Sequence, residues 1–210
     1  MIKLISINSQ DLAAKEAYKL ISGSVIPRPI AWITTYNRDK SVINLAPFSF
    51  FSGVAGKEPL VSVSILRKED GSIKDTARNL IDTKEAVVHV VSEGLVHKMN
   101  QTAASLDAKE TELADTNLET VESKLVAVPG LQAAKVRFEV QVYQYVPIKD
   151  AHDQIITDMF ILKVVEMYFD ETILNQEKNY IDAKALKPVA RLAGPQYANL
   201  GKTYRITRPK

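Results

Sequence analysis

The chain has 210 residues, of which 46% are hydrophobic, and its 27 basic and 25 acidic side chains leave a net charge of +2. This length allows one large domain or two small ones with a substantial apolar core. The near balance of charge gives no electrostatic reason to expect a nucleic-acid or anionic-membrane partner. The absence of cysteine excludes disulfides, thiolate metal sites, iron–sulfur clusters and a cysteine nucleophile.

The N-terminal residues and the hydropathy of the chain bear on where the protein works. The stretch MIKLISINSQDLAAKEAY is charged within its first few residues and lacks the long apolar core of a signal peptide. No apolar run approaches the roughly 20 residues that a membrane-spanning helix needs. We therefore expect a cytoplasmic protein with no membrane contact.

The first third of the chain is predicted to form a helix followed by three strands. The helix begins at Ser9, whose side chain can cap it, and ends at Gly23. Pro27 and Pro29 then forbid helix and favour an extended entry into the strand IAWITTY. The second strand is VINLA. The third is PLVSVSIL, in which apolar residues on one face alternate with serines on the other.

The rest of the chain is predicted to add two helical regions, three strands and a tail. KDTARNLIDTK is typical of a short helix, and AVVHVVS of a strand that is buried on both faces. Residues 93 to about 122 are polar and predicted to be mostly helical. Two long strands follow at residues 135–145 and 159–169, and the tail is predicted to be a short helix and then irregular chain.

The order of these elements indicates the fold class. The strands come in neighbouring groups rather than in alternation with helices, which favours a mostly β antiparallel barrel or sandwich with helical insertions. We expect a single domain over residues 1–210, with an N-terminal helix and an irregular C-terminal tail. The GxGxxG and P-loop motifs do not occur, so the two commonest phosphate-binding signatures are missing.

The three histidines give no basis for a metal site. No two of them have metal-ligand spacing on one predicted element, and the GxSxG motif of serine hydrolases does not occur either. We expect His89 to be a partly buried strand residue, His97 to lie on a solvated helix face and His152 to lie in a polar turn.

A set of neutral polar and aromatic side chains is more informative than the histidines. Hydroxyl groups and a lysine at a helix N-terminus suit a phosphate, because the free N–H groups and the helix dipole favour an anion there. An asparagine and the backbone around a proline suit a ring edge that both donates and accepts, and phenylalanines suit a flat ring. Flavin mononucleotide (FMN) meets all three conditions. The set is Thr34, Thr35, Asn44, Ser49, Phe50, Phe51, Ser62, Ser64, Lys74, Asp75, Thr76 and Asn79.

Each of these features alone is more typical of structure than of function. SVS is often the solvated side of a strand, KDTARN is often a capped helix, and NLAPFSFF could be a bulged edge strand that places aromatics in the core. Their order and spacing together favour the functional interpretation.

The chain resembles the flavoredoxin-like group of flavin reductases, which have the FMN-binding split-barrel fold. The resemblance spans most of the chain and is most specific in the PRPIAW, NxAPFSFF and KDTxxN segments and in their separations. The matching segments are VIPRPIAWITT (25–35), NLAPFSFFSGV (44–54), PLVSVSI (59–65), KDTARNLIDTKEAVVHVVSE (74–93), LKPVARLAGPQYANLG (186–201) and TYRITRP.

The resemblance implies a role for each candidate residue. The NxAPFS segment would line the flavin, with the strand broken at Pro47 so that its backbone groups turn toward the ring edge. Further contacts would come from side chains around this segment, at the start of the second helix and in the tail that closes the site. The cofactor-binding residues would be Arg28, Thr34, Asn44, Ala46, Ser49, Phe50, Phe51, Ser62, Ser64, Lys74, Asp75, Thr76, Asn79, Arg191 and Tyr197.

Two positions depart from the pattern of the group. Leu162 and Lys163 stand where members commonly carry a Gly-Glu pair near the mouth of the flavin site, and His89 stands where asparagine is frequent. The electron donor and acceptor of the group therefore do not carry over with the fold.

The resemblance implies an FMN-binding flavin reductase or flavoredoxin-type electron-transfer protein, with NAD(P)H as a donor. Hydride transfer to a flavin needs no protein acid or base, so we name no catalytic residue. We expect a homodimer and an electron-transfer or monooxygenase partner. Two alternatives stay open: a non-enzymatic split-barrel assembly module, and a same-fold oxidase with another ligand, such as a relative of pyridoxal phosphate oxidases.

Overall fold

The computed structural model describes residues 2–104, 106–107, 109–114 and 116–209. No helix in these ranges is long and apolar enough to cross a membrane. The helices are α1 (Ala14–Ser24), α2 (Asp75–Thr83), α3 (Val96–Gln101) and α4 (Ala183–Leu186). The strands are β1 (Arg28–Pro29), β2 (Ala31–Tyr36), β3 (Ile43–Phe48), β4 (Phe51–Gly53), β5 (Leu60–Leu66), β6 (Glu85–Val90), β7 (Thr120–Val121), β8 (Gly130–Leu131), β9 (Val136–Lys149), β10 (Ile155–Phe169), β11 (Leu174–Asn175), β12 (Tyr180–Ile181), β13 (Val189–Arg191) and β14 (Tyr197–Asn199).

Seven of the strands form one antiparallel sheet in the order β3-β2-β6-β9-β10-β5-β4. Its two edge strands, β3 and β4, follow each other in sequence, with only Ser49 and Phe50 between them. In a flat sheet, six strand spacings would separate the edges by about 29 Å. Three Cα–Cα steps span at most about 11 Å. The sheet therefore curls until its edges meet, and the predicted mostly β barrel is confirmed.

Apolar side chains from all sides of the curled sheet fill its interior. Ile33, Val63, Val88 and Phe160 are fully buried there, each from a different strand. Helix α2 adds its apolar face to this cluster, including Leu80. The start of α2 is thus fixed against the barrel, close to β2 and β3.

A second apolar cluster covers the outer face of β2 and β3. Trp32 is its largest member and donates its indole N–H to Thr102 Oγ1 at 2.8 Å. His89 lies beside it, fully buried rather than partly buried as predicted, with Nδ1 2.7 Å from Trp32 O. Because burial lowers its pKa to about 3, His89 is neutral, and its Nε2 accepts the N–H of Leu131 at 2.9 Å. These bonds make His89 a structural residue, whereas His97 and His152 are exposed.

Three predicted elements differ from the structure. Helix α1 begins at Ala14 rather than Ser9, because the Glu16 carboxylate accepts the N–H of Ala13 at 3.0 Å and starts the helix there. Only residues 93–101 of the predicted helical region 93–122 are helical; Ser105, Ala108 and Asp115 lie outside the described residues. The tail is irregular only in part, because β13 pairs with both β1 and β14, whereas residues 200–209 form no helix or strand.

Glu139, on β9, is a buried polar group of the long strand pair β9–β10. Its side chain is 0% exposed and accepts three hydrogen bonds, from the N–H of Lys124 (2.7 Å), the N–H of Leu125 (2.6 Å) and the hydroxyl of Tyr168 (2.6 Å). Burial alone would raise the pKa of Glu139, but these donors together outweigh it and lower the pKa. The hydrogen bond with the Glu139 carboxylate also raises the pKa of the Tyr168 hydroxyl to about 12.

We expect Glu139→Gln to lower the free energy of unfolding at pH 7 by about 1–3 kcal/mol, because an amide NH₂ would face a backbone N–H. A carboxyl group with a lowered folded-state pKa stabilises the protein above its unfolded pKa of about 4.3, and this contribution is lost as pH falls through the folded pKa. Urea titrations at pH 7 and pH 4 should therefore show a smaller difference between wild type and variant at pH 4. The exposed Glu171→Gln is the control, and equal unfolding midpoints for the two variants would contradict the prediction.

Candidate functional site

A groove runs along the segment from Asn44 to Ser49. Its wider part encloses about 420 Å³ between the end of α1, α3 and the C-terminal tail, and its narrower part encloses about 130 Å³ at the start of α2. The two parts share Pro47, Phe48 and Lys74 in their lining, so they form one continuous groove. Of the predicted site residues, the groove brings together Arg28, Asn44, Ala46, Ser49, Lys74, Asp75, Thr76, Arg191 and Tyr197.

The free edge of β3 is one wall of the groove. Ile43 O accepts a hydrogen bond from Thr111 Oγ1 at 2.6 Å, and Leu45 N donates to the Glu112 carboxylate at 2.8 Å. In an edge strand, every second residue turns its backbone N–H and C=O away from the neighbouring strand. Ile43 and Leu45 are two such residues, and Pro47 is the next one. Proline has no N–H. At Pro47 the edge therefore presents a carbonyl acceptor and no donor.

The prediction that the strand breaks at Pro47 is wrong. Pro47 is paired with Trp32 in the ladder, and β3 continues to Phe48. An edge strand tolerates proline where the missing N–H would face away from its neighbour, as it does here. The chain turns after Phe48 instead.

Lys74 stands at the narrow end of the groove. It precedes the first residue of α2 and is half-buried, with Nζ 5.9 Å from the centroid of the Phe48 ring. Burial lowers the pKa of Lys74, and the nearby charge of Lys68 lowers it further. Among the residues that the structure describes, no carboxylate oxygen lies within 4 Å of its Nζ. A cation beside the free N–H groups of a helix start favours an anion.

The other residues of α2 that were predicted to bind the ligand also hold the helix in place. Thr76 Oγ1 accepts a hydrogen bond from Asn44 Nδ2 at 2.8 Å, which joins α2 to β3. Asn79 Nδ2 donates to Thr35 Oγ1 at 3.0 Å, which joins α2 to β2, and Asn79 does not line the groove. Asp75 pairs with Arg78 at 2.5 Å and with Lys68 at 3.6 Å.

Arg28 fastens the wide end of the groove. Its buried guanidinium donates to the backbone oxygens of Ser22, Val25 (2.8 Å) and Leu192 (2.9 Å), and its Nε lies 3.3 Å from Ser49 Oγ. One side chain therefore ties together the end of α1, the turn after β3 and the C-terminal tail.

Arg191 and Tyr197 fasten the tail across the same end. The Arg191 guanidinium donates to the Tyr197 hydroxyl and lies 4.6 Å from the centroid of its ring. The Tyr197 hydroxyl in turn donates to Asn100 Oδ1 at 3.0 Å, which connects the tail to α3. The tail and α3 thus both line the wide part of the groove.

Besides Asn79, five predicted binding residues lie outside the groove. Thr34 is fully buried and donates its hydroxyl to Pro129 O at 2.8 Å. Ser62 and Ser64 lie on the outer face of β5, because the apolar residues between them face the barrel interior. Phe50 packs edge-on against Tyr18, with centroids 6.3 Å apart, and Phe51 packs against the interior cluster. None of the five lines the groove.

The sequence prediction missed several groove residues. Phe48, rather than Phe50 or Phe51, is the phenylalanine that lines the groove, and its alternation with Asn44 and Ala46 along β3 was the signal that could have identified it. Tyr18 and Met99 line the wide part from α1 and α3. No sequence pattern distinguishes these two from ordinary core residues of short helices.

The structure does not bring residues 162 and 163 to the groove. Leu162 is fully buried in the barrel interior, and Lys163 is on the outer face, with Nζ 3.8 Å from the Glu58 carboxylate. Neither residue lines the groove. The substitution of Gly-Glu by Leu-Lys therefore gives no information about the electron donor.

Residues 22–185 match the model of the flavin reductase like domain. The chain belongs to this family. It is 45% identical over 201 residues to the Bacillus subtilis protein YwrF, covering 96% of this chain and 97% of that one. The structure is similar to that of nitrilotriacetate monooxygenase component B from Bacillus cereus, with 38% identity, a TM-score of 0.93 and coverage of 98% and 100%.

A more distant structure supports the fold alone. The flavin reductase with a split barrel domain from Shewanella frigidimarina is 20% identical, with a TM-score of 0.78 and coverage of 95% of this chain and 96% of that one. The curled seven-stranded sheet is thus a split barrel, and the fold that the resemblance implied is confirmed.

We expect Arg28→Ala to lower the free energy of unfolding by about 3 kcal/mol, because it leaves several buried carbonyl groups without a donor. It should also release the tail, so that limited proteolysis cleaves faster beyond residue 188. The exposed Arg205→Ala serves as the control. If the two variants unfold at the same urea concentration and are cleaved at the same rate, Arg28 does not fasten the tail.

Proposed function

We propose that this protein binds FMN in the groove and acts as a flavin reductase or a flavoredoxin-type electron-transfer protein. The observation that carries the proposal is Lys74, a half-buried cation with no acidic partner among the described residues, at the start of a helix. Such an arrangement needs an anion, and a phosphate is the anion that helix starts commonly bind. Membership of the flavin reductase-like family makes a flavin phosphate the first candidate.

The rest of the groove suits the ring of the same molecule. The Pro47 carbonyl on the free edge of β3 is an acceptor for a ring N–H. Phe48 and Met99 offer apolar surface, and Arg191 and Tyr197 would limit access from the tail side. Ser49, Asn44 and Ala46 line the wall between the two ends.

FMN, when bound, supplies the redox chemistry, and the protein provides binding, orientation and control of access. Lys74 and Thr76 would hold the phosphate, the β3 edge would orient the ring, and the fastened tail would keep water from part of it.

The electron donor and the partner belong to the same proposal. NAD(P)H is the expected donor. Nitrilotriacetate monooxygenase component B, at 38% identity, is by its name one component of a monooxygenase, which favours a monooxygenase as the electron acceptor here as well. The proposal treats residues 1–210 as one domain that works in the cytoplasm. Purified protein that stays colourless with added FMN would favour the assembly module instead.

We expect Lys74→Ala to weaken FMN binding tenfold to a hundredfold, because one charge-assisted phosphate contact contributes about 1.5–3 kcal/mol. Riboflavin lacks the phosphate, so its affinity should hardly change. Fluorescence titration with both ligands tests this, and Lys163→Ala, which removes a lysine outside the groove, is the matched control. An equal loss for FMN and riboflavin would show that Lys74 acts on the fold and not on the phosphate.

The proposed homodimer rests on exposed apolar side chains. Tyr143 on β9 is 62% exposed, and Met167 on β10 is 45% exposed. Exposed apolar groups of this size are typical of surfaces that another chain covers. Ile2 and Leu4 at one end of the chain are more than 80% exposed.

Light scattering at micromolar concentration should give about twice the chain mass of 23.3 kDa. Tyr143→Lys places a charge on the proposed surface and should shift the mass toward that of one chain. The exposed Tyr180→Lys, on the short hairpin strand β12, is the control. A wild-type protein that elutes and scatters as a monomer contradicts the prediction.

A further inference from the structure

A second cavity of about 600 Å³ adjoins the narrow end of the groove. The two share Asn44, Asp75, Leu106 and Glu112 in their lining, so they lie side by side at the start of α2. A phosphate held at Lys74 would therefore have this cavity as its neighbour. Its volume lies within the usual range of ligand pockets, about 300–1,000 Å³, and is large enough for a nucleoside.

The lining of this cavity is acidic. The described lining contains two arginines, Arg38 and Arg78, and six carboxylates. Arg78 is already paired with Asp75. Within the described ranges, no lysine or arginine nitrogen lies within 4 Å of the carboxylates of Asp82 and Glu112. The carboxylates are Asp39, Asp75, Asp82, Asp107, Glu110 and Glu112.

Glu112 stands at the junction of the groove and the acidic cavity. Its carboxylate accepts the N–H of Leu45 on the free edge of β3 at 2.8 Å, which fixes it beside the narrow end. Glu112 lines both the groove and the acidic cavity, and Asp82 on α2 lines the cavity, so a group that continues from a phosphate at Lys74 into the cavity would lie near both carboxylates.

We propose that the acidic cavity makes the flavin site selective for FMN over FAD by charge rather than by size. This inference rests on the proposed function. FMN ends in a phosphate monoester, whose charge near neutral pH is about −1.5 to −2. In FAD the same phosphate is part of a pyrophosphate and carries about one charge, and the second phosphate of the pyrophosphate follows it. FAD thus has less charge at Lys74 and places its second phosphate toward carboxylates.

The test compares three ligands in wild type and in variants of the acidic cavity. Affinities for FMN, FAD and riboflavin are measured by fluorescence titration, in Glu112→Gln, in Asp82→Asn and in the double variant. The exposed Asp153→Asn, in the turn between β9 and β10, is the control for a change of net charge. Thermal unfolding shows which variants are folded. If the Glu112 variants are not folded, Asp82→Asn alone tests the cavity. Asp82 is exposed, so we expect this variant to fold.

We expect wild type to bind FAD at least tenfold more weakly than FMN, which is about 1.4 kcal/mol. The ratio should shrink at least threefold in the double variant at low salt, and less at high salt because salt screens exposed charges. The inference is overturned if wild type binds FAD as tightly as FMN. It is also overturned if the ratio of FMN affinity to FAD affinity is the same in the cavity variants as in Asp153→Asn. These two results leave the proposed function intact, whereas failure of both FMN and riboflavin to bind overturns that function and the inference together.

Discussion

Ser49 and Phe50 carry the chain from one edge of a seven-stranded sheet to the other, and only a curled sheet lets two residues do so. This short connection forces the two edge strands to meet. It also places the end of β3 next to the ends of α1 and the C-terminal tail, where Arg28 bonds to all of them. The groove lies along this meeting line because the last residues of β3 line it throughout.

The free edge of β3 creates a second requirement. An edge strand with open N–H and C=O groups would pair with another chain. Thr111 and Glu112 cover the first part of the row with side-chain hydrogen bonds, and Pro47 removes the donor that would come next. The edge is thus blocked against strand pairing while one carbonyl stays accessible in the groove. The proline that looks misplaced in a strand is consistent with both functions of the edge.

Local pattern predicted the fold better than it predicted the site. The long strands β9 and β10 follow from alternation over more than ten residues, and the helix α2 from its amphipathic sequence. Alternation also placed Ser62 and Ser64 together on one face of β5, but it does not tell which face a ligand approaches. Residues 93–122 appeared helical because they are polar and rich in alanine. In the structure, Thr111 and Glu112 bind the β3 edge instead, a long-range contact that no local window contains.

The pairing of β1 with β13 was beyond prediction for the same reason, since it joins residues 28 and 191. What the sequence did place correctly was the start of α2. Lysine, aspartate and threonine in that order are all at the helix N-terminus, where their chemistry depends on the helix itself and not on distant partners. Local chemistry was therefore predictable, and its long-range surroundings were not.

The neighbouring charged residues Lys74 and Asp75 differ in whether the protein itself supplies an ion-pair partner. Asp75 is compensated by Arg78 and Lys68, so the protein alone satisfies it. Lys74 is half-buried, and its lowered pKa reflects a loss of hydration that no described carboxylate offsets. Such a cation costs stability in the free protein, and sites that depart from local consistency in this way are commonly functional. An anion that binds only the folded state would return that stability in proportion to its occupancy. The position of Lys74 is thus better explained by a ligand than by the fold.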